Sequence, residues 1–238
     1  MTRDEILQAL CAHSKSLFER NYTYSTGGNV SHRWEDGFLI TATNTSFGRL
    51  TPADFVFCDL NGNPVPGETQ KPSKEAAFHA AIFRRRPEAN AVLHLHAAAS
   101  IALSCMAETT DTSNVLPAVT SGAVTRVGRL PLLEYISPGA PELADRIEAL
   151  CGNVNAILMQ NHGITCYAPS LDQAVDIAEE AEQNIKVWLM TAGTARILTD
   201  AELAKSKPLY GAAVAPGEQY PRLRAGVAFG GSTGGTLV

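Results

Sequence analysis

Three histidines in this chain have the types and spacing of a metal site. Two lie in Ala91-Val92-Leu93-His94-Leu95-His96, a short apolar run that predicts a buried strand. Residues i and i+2 of a strand share a face, so His94 and His96 project side by side while Leu93 and Leu95 point the other way. The third, His162, follows a second apolar run, Ala156-Ile157-Leu158-Met159-Gln160-Asn161, and precedes Gly163. A lone strand histidine is ordinarily a hydrogen-bonded core or surface residue. A same-face pair is harder to explain that way, because buried imidazoles need partners for all their ring nitrogens. Three neutral imidazoles that leave one coordination position open form the donor set of a catalytic zinc. The same set also accepts cobalt, nickel, iron or manganese.

Glu75 is the candidate acid–base group. Pro72-Ser73 reads as the start of a helix with Ser73 as its N-cap, with Phe78, Ile82 and Phe83 packed inward and an end near Pro87. Glu75 then falls in the first turn. The short link Pro87-Glu88-Ala89-Asn90 returns the chain to the His94 strand and makes helix and strand neighbours. A carboxylate beside a divalent cation can ligate it or move a proton. Spacing alone favours the plainer reading, a first-turn glutamate stabilised by the helix dipole. His79 lies at i+4 on the same face and reads as structural rather than as an extra ligand.

Three polar stretches suit an anion. Gly27-Gly28-Asn29 offers backbone amides that a side chain would obstruct. Ser73 and Lys74 put a hydroxyl, amides and an ammonium at a helix N-terminus. Thr43-Asn44-Thr45-Ser46 is a polar loop after a strand. Each alone is an ordinary turn or cap. Beside a metal site they predict a small phosphorylated or carboxylated substrate.

The surrounding pattern supplies the elements that must hold these groups. A first helix runs from Arg3 to Arg20 on a stripe of Ile6, Leu7, Leu10, Leu17 and Phe18. Two strands, Val30 to Trp34 and Gly37 to Thr41, meet at the turn signal Glu35-Asp36-Gly37, and Phe55 to Leu60 precedes a hairpin turn at Asn61-Gly62-Asn63. The His94 strand leads to a helix from Ala98 to Met106. Another helix spans Glu142 to Leu150, and the His162 strand leads to a long helix from Leu171 to about Ala192. Hairpins mixed with helices predict an α/β fold whose sheet is mixed or antiparallel, with helices on both sides.

Composition bounds the rest. The 238 residues are enough for one large domain, expected here over 1–211, while 212–238 form a Gly/Pro-rich tail with little to bury. A net charge of −5 without a basic stripe argues against nucleic acid, and Arg84-Arg85-Arg86 reads as a solvated helix end. No apolar segment approaches the ~18 residues of a membrane span, and the charged start shows no signal peptide. The five cysteines are odd in number, widely spaced and without a CxxC, as expected for reduced thiols in a cytoplasmic protein.

Taken in order, Gly27-Gly28-Asn29-Val30-Ser31, Leu39-Ile40-Thr41 with its Thr-rich loop, Leu50-Thr51, Lys71-Pro72-Ser73-Lys74-Glu75, Arg86-Pro87 with the His94 strand, and Asn161-His162-Gly163 resemble the class II aldolase/adducin family. The likeness covers about residues 3–195. It implies a three-layer α/β/α fold on a central, mainly antiparallel sheet, assembled as a homotetramer with sites at subunit interfaces. It implies zinc on His94, His96 and His162, with Glu75 as the acid–base residue that also ligates the substrate-free metal. It places Gly28, Asn29, Thr43, Asn44, Ser73 and Lys74 around a substrate phosphate. Adducin-type members lack the metal ligands. This chain keeps the full set, which favours an enzyme over an interaction module.

Two departures narrow the reading. The family's sugar-phosphate aldolases usually have Gly at the place of Asn44 and a second Ser at that of Lys74. They also use a Tyr, in the segment that here reads Pro117-Ala118-Val119-Thr120-Ser121-Gly122, to protonate the aldehyde-derived oxygen. The strings around Asn44, Ser73-Lys74, Arg126 to Pro131 and Ala192 to Thr199 look most like the branch that decarboxylates 3-oxo-tetronate 4-phosphates. Retro-aldol cleavage and β-keto-acid decarboxylation both leave an enediolate that zinc can stabilise. Carbon dioxide, unlike an aldehyde, leaves without needing a proton, so the missing Tyr fits a decarboxylase. The expected products are carbon dioxide and dihydroxyacetone phosphate. The alternatives are a fuculose- or rhamnulose-phosphate type aldolase, a pentulose-phosphate 4-epimerase, or an adducin-like interaction module.

Overall fold

In the computed structural model, residues 1–106, 112–206 and 208–210 are described, and the expected tail at 212–238 lies outside them. The apolar runs become strands β1 (Asn29–Trp34), β2 (Gly37–Thr41), β3 (Phe55–Asp59), β4 (Ala91–Leu95), β5 (Leu132–Leu133), β6 (Ala156–Met159) and β7 (Gly163–Ala168). They form one sheet in the order β3-β2-β1-β4-β7-β6-β5. Its pairings are antiparallel except β5 with β6. The helices are α1 (Arg3–Glu19), α2 (Ala76–Arg85), α3 (Ala98–Cys105), α4 (Pro141–Leu150), α5 (Leu171–Met190) and the short α6 (Asp200–Leu203).

Alternate strand residues feed two cores. Leu39, Leu93, Leu95, Leu158 and Ile164 pack with α1, α3 and α5 on one face. Phe38, Ile40, Val92, Ile157 and Tyr167 pack with α2 and α4 on the other. The result is the expected three-layer α/β/α architecture on a mainly antiparallel sheet. His94, between Leu93 and Leu95, therefore turns toward the α2 face, where Phe78 of α2 meets its ring edge-on at 5.8 Å.

Three expectations need correction. The helix expected from Ser73 begins at Ala76, and Glu75 is its N-cap residue, without a side-chain cap. Pro72 is held in an isolated bridge to Ala42, so residues 73–75 form a turn: the Ala76 amide bonds the Ser73 carbonyl at 3.0 Å and the Glu75 amide bonds the Ser73 hydroxyl at 3.3 Å. The stretch after His162 is not a link to the long helix but the central strand β7, paired with β4 and β6. All of its residues are buried, so no polar alternation marked it. His162 accordingly sits in a hairpin turn, where Asn161 adopts φ +56° and the His162 amide bonds the Met159 carbonyl at 3.2 Å.

The arginine triplet is not uniformly solvated. Arg84 stays at the surface and pairs with Glu148 at 2.7 Å. Arg86 is only 16% exposed and pairs with Glu88. Its Nη1 donates to the carbonyls of Cys151 at 2.9 Å and Val154 at 2.5 Å, and its guanidinium lies 5.4 Å from the Tyr167 ring centre. Removing Arg86 takes the guanidinium from the Val154 carbonyl and leaves that of Cys151 to the Tyr167 hydroxyl at 3.2 Å. Arg86→Met should therefore cost about 1–3 kcal/mol of stability, whereas Arg84→Met should cost no more than about 1 kcal/mol. Urea unfolding of both variants checks this, and equal midpoints would return Arg86 to the status of a surface cation.

Candidate active site

The imidazoles are brought together by the middle of the sheet. β4 is hydrogen-bonded on both sides, with His94 opposite Asn29 of β1 and opposite Thr165 of β7. His96 stands one residue past the end of β4, where no ladder holds it. The start of α3 does so instead. Its N-cap residue, Ala97, offers no side-chain cap. Glu182 of α5, 1% exposed, accepts from the amides of Ala99 and Ser100 at 2.9 Å each and from the Ser100 hydroxyl at 2.8 Å. The β6–β7 turn then carries His162 over the end of β4. Ring centres lie 4.9 Å (His94–His96), 4.8 Å (His94–His162) and 5.1 Å (His96–His162) apart.

Glycines make room for this convergence. A Cβ on Gly27 would stand 2.6 Å from His96 Nδ1, and one on Gly28, at φ +79°, would stand 2.7 Å from the His94 carbonyl oxygen. A Cβ on Gly163 would stand 2.3 Å from the Leu95 carbonyl oxygen. Of the glycines that read as an anion cradle, Gly27 is thus also required by the His96 imidazole and Gly28 by the backbone of β4.

The donor set suits a divalent metal. His94 Nδ1 donates to the Ile164 carbonyl at 3.1 Å, a bond that leaves the Nε2 lone pair bare. His94 Nε2 and His96 Nε2 lie 3.0 Å apart, and tetrahedral ligation at about 2.0–2.1 Å would separate such nitrogens by roughly 3.3 Å. One ligand atom from each of the three histidines falls within 4.8 Å of the others. Burial, reinforced by the neighbouring imidazoles, holds His94 well below the ordinary histidine value. Burial likewise lowers His96 and takes His162 to about 4. All three are neutral near physiological pH, as ligation demands.

Glu75 closes the centre. Its Oε2 lies 3.5 Å from His94 Nε2 and its Oε1 3.4 Å from His162 Nε2. Oε1 is buried and has no hydrogen-bond partner, an orphan that a cation would satisfy. Burial raises the Glu75 pKa, opposed by a 2.7 Å bond from Asn29 Nδ2 to Oε2.

A cleft of about 230 Å³ opens onto this centre. Gly28, Asn29, Thr43, Asn44, Ser73, Lys74, Glu75, His96 and His162 all line it, and His94 lies beneath. Two loops are tied together at its outer end: the Thr43 amide bonds the Lys71 carbonyl, and the Ser73 amide bonds the Thr41 carbonyl, both at 3.0 Å. Asn44, at φ +62°, turns the first of them. The Asn29 side chain is engaged inward, between Glu75 and His79. Thr26, Thr45 and Pro138 also line the cleft and carried no signal in the sequence beyond their neighbours. The Pro117–Gly122 segment, which lacks the Tyr, packs on α5 through Thr120 and Asn184 instead of lining the cleft. A phenol does stand nearby: Tyr24, 61% exposed, meets the His96 ring edge-on at 6.3 Å. A second hollow of about 330 Å³ between Tyr22, Arg126 and the acidic face of α5 is remote from this chemistry, and Arg126 there pairs with Glu180 at 3.2 Å.

Residues 8–189 match the family described as class II aldolase and adducin N-terminal domain. The chain belongs to this class II aldolase and adducin family. The 3-oxo-tetronate 4-phosphate decarboxylase of Haemophilus influenzae is 37% identical over 191 residues, covering 79% of this chain and 90% of that protein. The L-fuculose phosphate aldolase of Escherichia coli K12 is 30% identical over 207 residues, covering 86% and 93%. In three dimensions, YgbL of Escherichia coli, whose activity is left open among aldolase, epimerase and decarboxylase, superposes with a TM-score of 0.81 at 32% identity over 86% of this chain and 99% of that one. The two named activities both break carbon–carbon bonds, which supports a class II aldolase-type lyase.

The class II aldolase frame makes Gly27 a sharp test of the metal centre, because a methyl there meets an imidazole rather than the sheet. Gly27→Ala should leave the unfolding midpoint nearly unchanged and weaken zinc binding about 10–100-fold, the usual cost of disturbing a ligand's support. Titration of the apoprotein with zinc measures this. Unchanged affinity would show that His96 does not ligate.

Proposed function

We propose that this protein is a zinc-dependent lyase that decarboxylates a 3-oxo-tetronate 4-phosphate to dihydroxyacetone phosphate and carbon dioxide. One observation carries the reading: His94, His96, His162 and Glu75 converge at the floor of a cleft whose outer end holds Ser73, Lys74, Thr43 and Asn44. The identity to the Haemophilus decarboxylase supports the choice of reaction. The reading includes a homotetramer, as the family resemblance implies. It also includes residence in the cytoplasm, which suits five free thiols. Among the described residues, no helix is long and apolar enough to cross a membrane.

Bound zinc would supply a Lewis acid for the negative charge left on the substrate by carbon–carbon cleavage. Ser73, Lys74 and the 43–44 loop bind the phosphate and set the reacting carbons over the histidines. The bond from the carboxylate to its α-carbon breaks, its electron pair passes toward the ketone oxygen, and carbon dioxide leaves. Glu75 then gives a proton to that α-carbon, which completes dihydroxyacetone phosphate. A carboxyl whose pKa is raised by burial is suited to hand over that proton. The second reading, a sugar-phosphate aldolase, is favoured by the likeness to the fuculose phosphate enzyme. It requires a proton donor for the aldehyde oxygen.

Product analysis decides between the two. The purified protein should release carbon dioxide and dihydroxyacetone phosphate from the phosphorylated 3-oxo acid and barely cleave ketose 1-phosphates. Aldehyde from a ketose phosphate, with no carbon dioxide from the oxo acid, would sink the decarboxylase reading. Glu75→Gln should retain zinc and lose roughly two to four orders of magnitude in turnover. Near-normal turnover would reduce Glu75 to a helix-start residue. Lys74→Met should weaken phosphorylated substrate by about 1.5–3 kcal/mol. Equal KM values for wild type and variant would remove Lys74 from the phosphate site.

A further inference from the structure

Glu75 is not held by chance. Asn29 and Ser31 share one face of β1, and Glu75, the N-cap residue of α2, stands four residues before His79 within it, so the i,i+2 spacing of a strand meets the i,i+4 spacing of a helix start. Four polar side chains interlock there. Ser31 Oγ lies 2.6 Å from His79 Nδ1, His79 Nε2 lies 2.5 Å from Asn29 Oδ1, and Asn29 Nδ2 lies 2.7 Å from Glu75 Oε2. Ser31 and His79 are 0% exposed, Asn29 5% and Glu75 7%.

The chemistry of the partners fixes the direction of every bond. A carboxylate only accepts, so the Asn29 amide nitrogen must face Glu75 and its carbonyl oxygen must face His79. That oxygen needs a donor, which places the proton of His79 on Nε2. Nδ1 is then bare and accepts from the Ser31 hydroxyl. Burial pushes His79 down to about 3, so the ring stays in this neutral form, stacked on Phe78 at 4.7 Å. His79 is thus no metal ligand, and it does more than fill the core.

We propose that Ser31, His79 and Asn29 form a positioning relay that engages Glu75 Oε2, itself 3.5 Å from His94 Nε2, and so leaves Oε1 as the one carboxylate oxygen at the centre without a hydrogen bond. The proposal rests on the reading of Glu75 as the acid–base group. The geometry accords with it: Oε2 has its bond from Asn29, while Oε1 is left without a hydrogen bond beside His162. A free carboxyl would rotate between two equivalent oxygens. The relay makes them inequivalent, and it sets the rotamer from which a proton reaches the substrate carbon.

Replacing His79 tests this in the zinc-loaded enzyme. His79→Met should lower kcat about 10–100-fold, the usual effect of losing an outer support, while KM and zinc content stay near wild type. His79→Gln, whose amide offers both an acceptor and a donor, should recover most of that loss. In an Asn29→Ala background, His79→Met should lower kcat no further, because the relay is already cut. Wild-type kcat in His79→Met, failure of Gln to recover it, or full additivity with Asn29→Ala would each overturn the relay. If His79→Met does not fold, Ser31→Ala decides: lower kcat at unchanged KM supports the relay, and unchanged kcat overturns it. Glu75→Gln run alongside separates the two levels. If it is fully active, the acid–base reading itself has failed. If it is inactive while the His79 variants are normal, only the relay has failed.

Discussion

A neutral imidazole can hold a metal and an imidazolium cannot, so the site depends first on keeping water away from His94. This side chain is fully buried, under α2 and between two hydrogen-bonded strands. Desolvation there penalises the charged form, and the Ile164 carbonyl takes the Nδ1 proton, leaving a single lone pair directed inward. His96 and His162 are less deeply placed and adjust to it. One comes from just past the end of β4 and the other from the β6–β7 turn. The most deeply held of the three imidazoles therefore belongs to the sheet, and the other two are set by the segments that follow β4 and β6.

That arrangement explains why the surroundings are built of small residues and remote charges. The His96 ring leaves no space for a side chain at Gly27, and the backbone carbonyls of His94 and Leu95 leave none at Gly28 and Gly163. The end of β4 cannot be fixed by its own strand, so Glu182 reaches across from α5 to bind the amides that follow His96. A buried carboxylate is costly unless its bonds are complete. Glu182 meets that condition with two amides and a hydroxyl, supplemented by Lys186 at 3.6 Å. Two buried glutamates thus behave in opposite ways. Glu182 is saturated and structural, whereas Glu75 keeps one oxygen unpaired at the centre.

The sequence made parts of this legible because some geometry is local. The i,i+2 histidine pair, the apolar stripes of α1 and α5 and the Asn61-Gly62-Asn63 turn follow from backbone periodicity alone, and the structure bears out these elements. The gathering of Gly28, Thr43, Asn44, Ser73 and Lys74 around one cleft came from resemblance, since no local rule joins residues that far apart. Three features were hidden for physical reasons. β7 is covered on both faces, so it shows no alternation. The start of α2 is displaced by the Pro72–Ala42 bridge, a contact that a capping pattern cannot register. Glu182 looks like its neighbours Glu179 and Glu180 on a charged helix, and only the packing of α3 against α5 sets it apart.

The same physics bears on which bond the enzyme breaks. Burial disfavours charge at the floor of the cleft: it lowers the His162 pKa and raises that of Glu75. On the proposed reading, zinc at the floor would take the oxygen on which charge develops and Lys74 at the outer end would take the phosphate. A ketose phosphate offers both groups as well, so alignment does not separate the two reactions. The leaving group does. An aldehyde departs from an oxygen that must be managed by a well-placed acid, and Pro117–Gly122 offers none. Tyr24, 61% exposed on the single chain, meets the His96 ring edge-on at 6.3 Å but does not line the cleft. Carbon dioxide leaves without a proton, and the one proton then required goes to carbon. On the proposed reading, that is the proton Glu75 delivers, and its Oε1 is the oxygen without a hydrogen-bond partner.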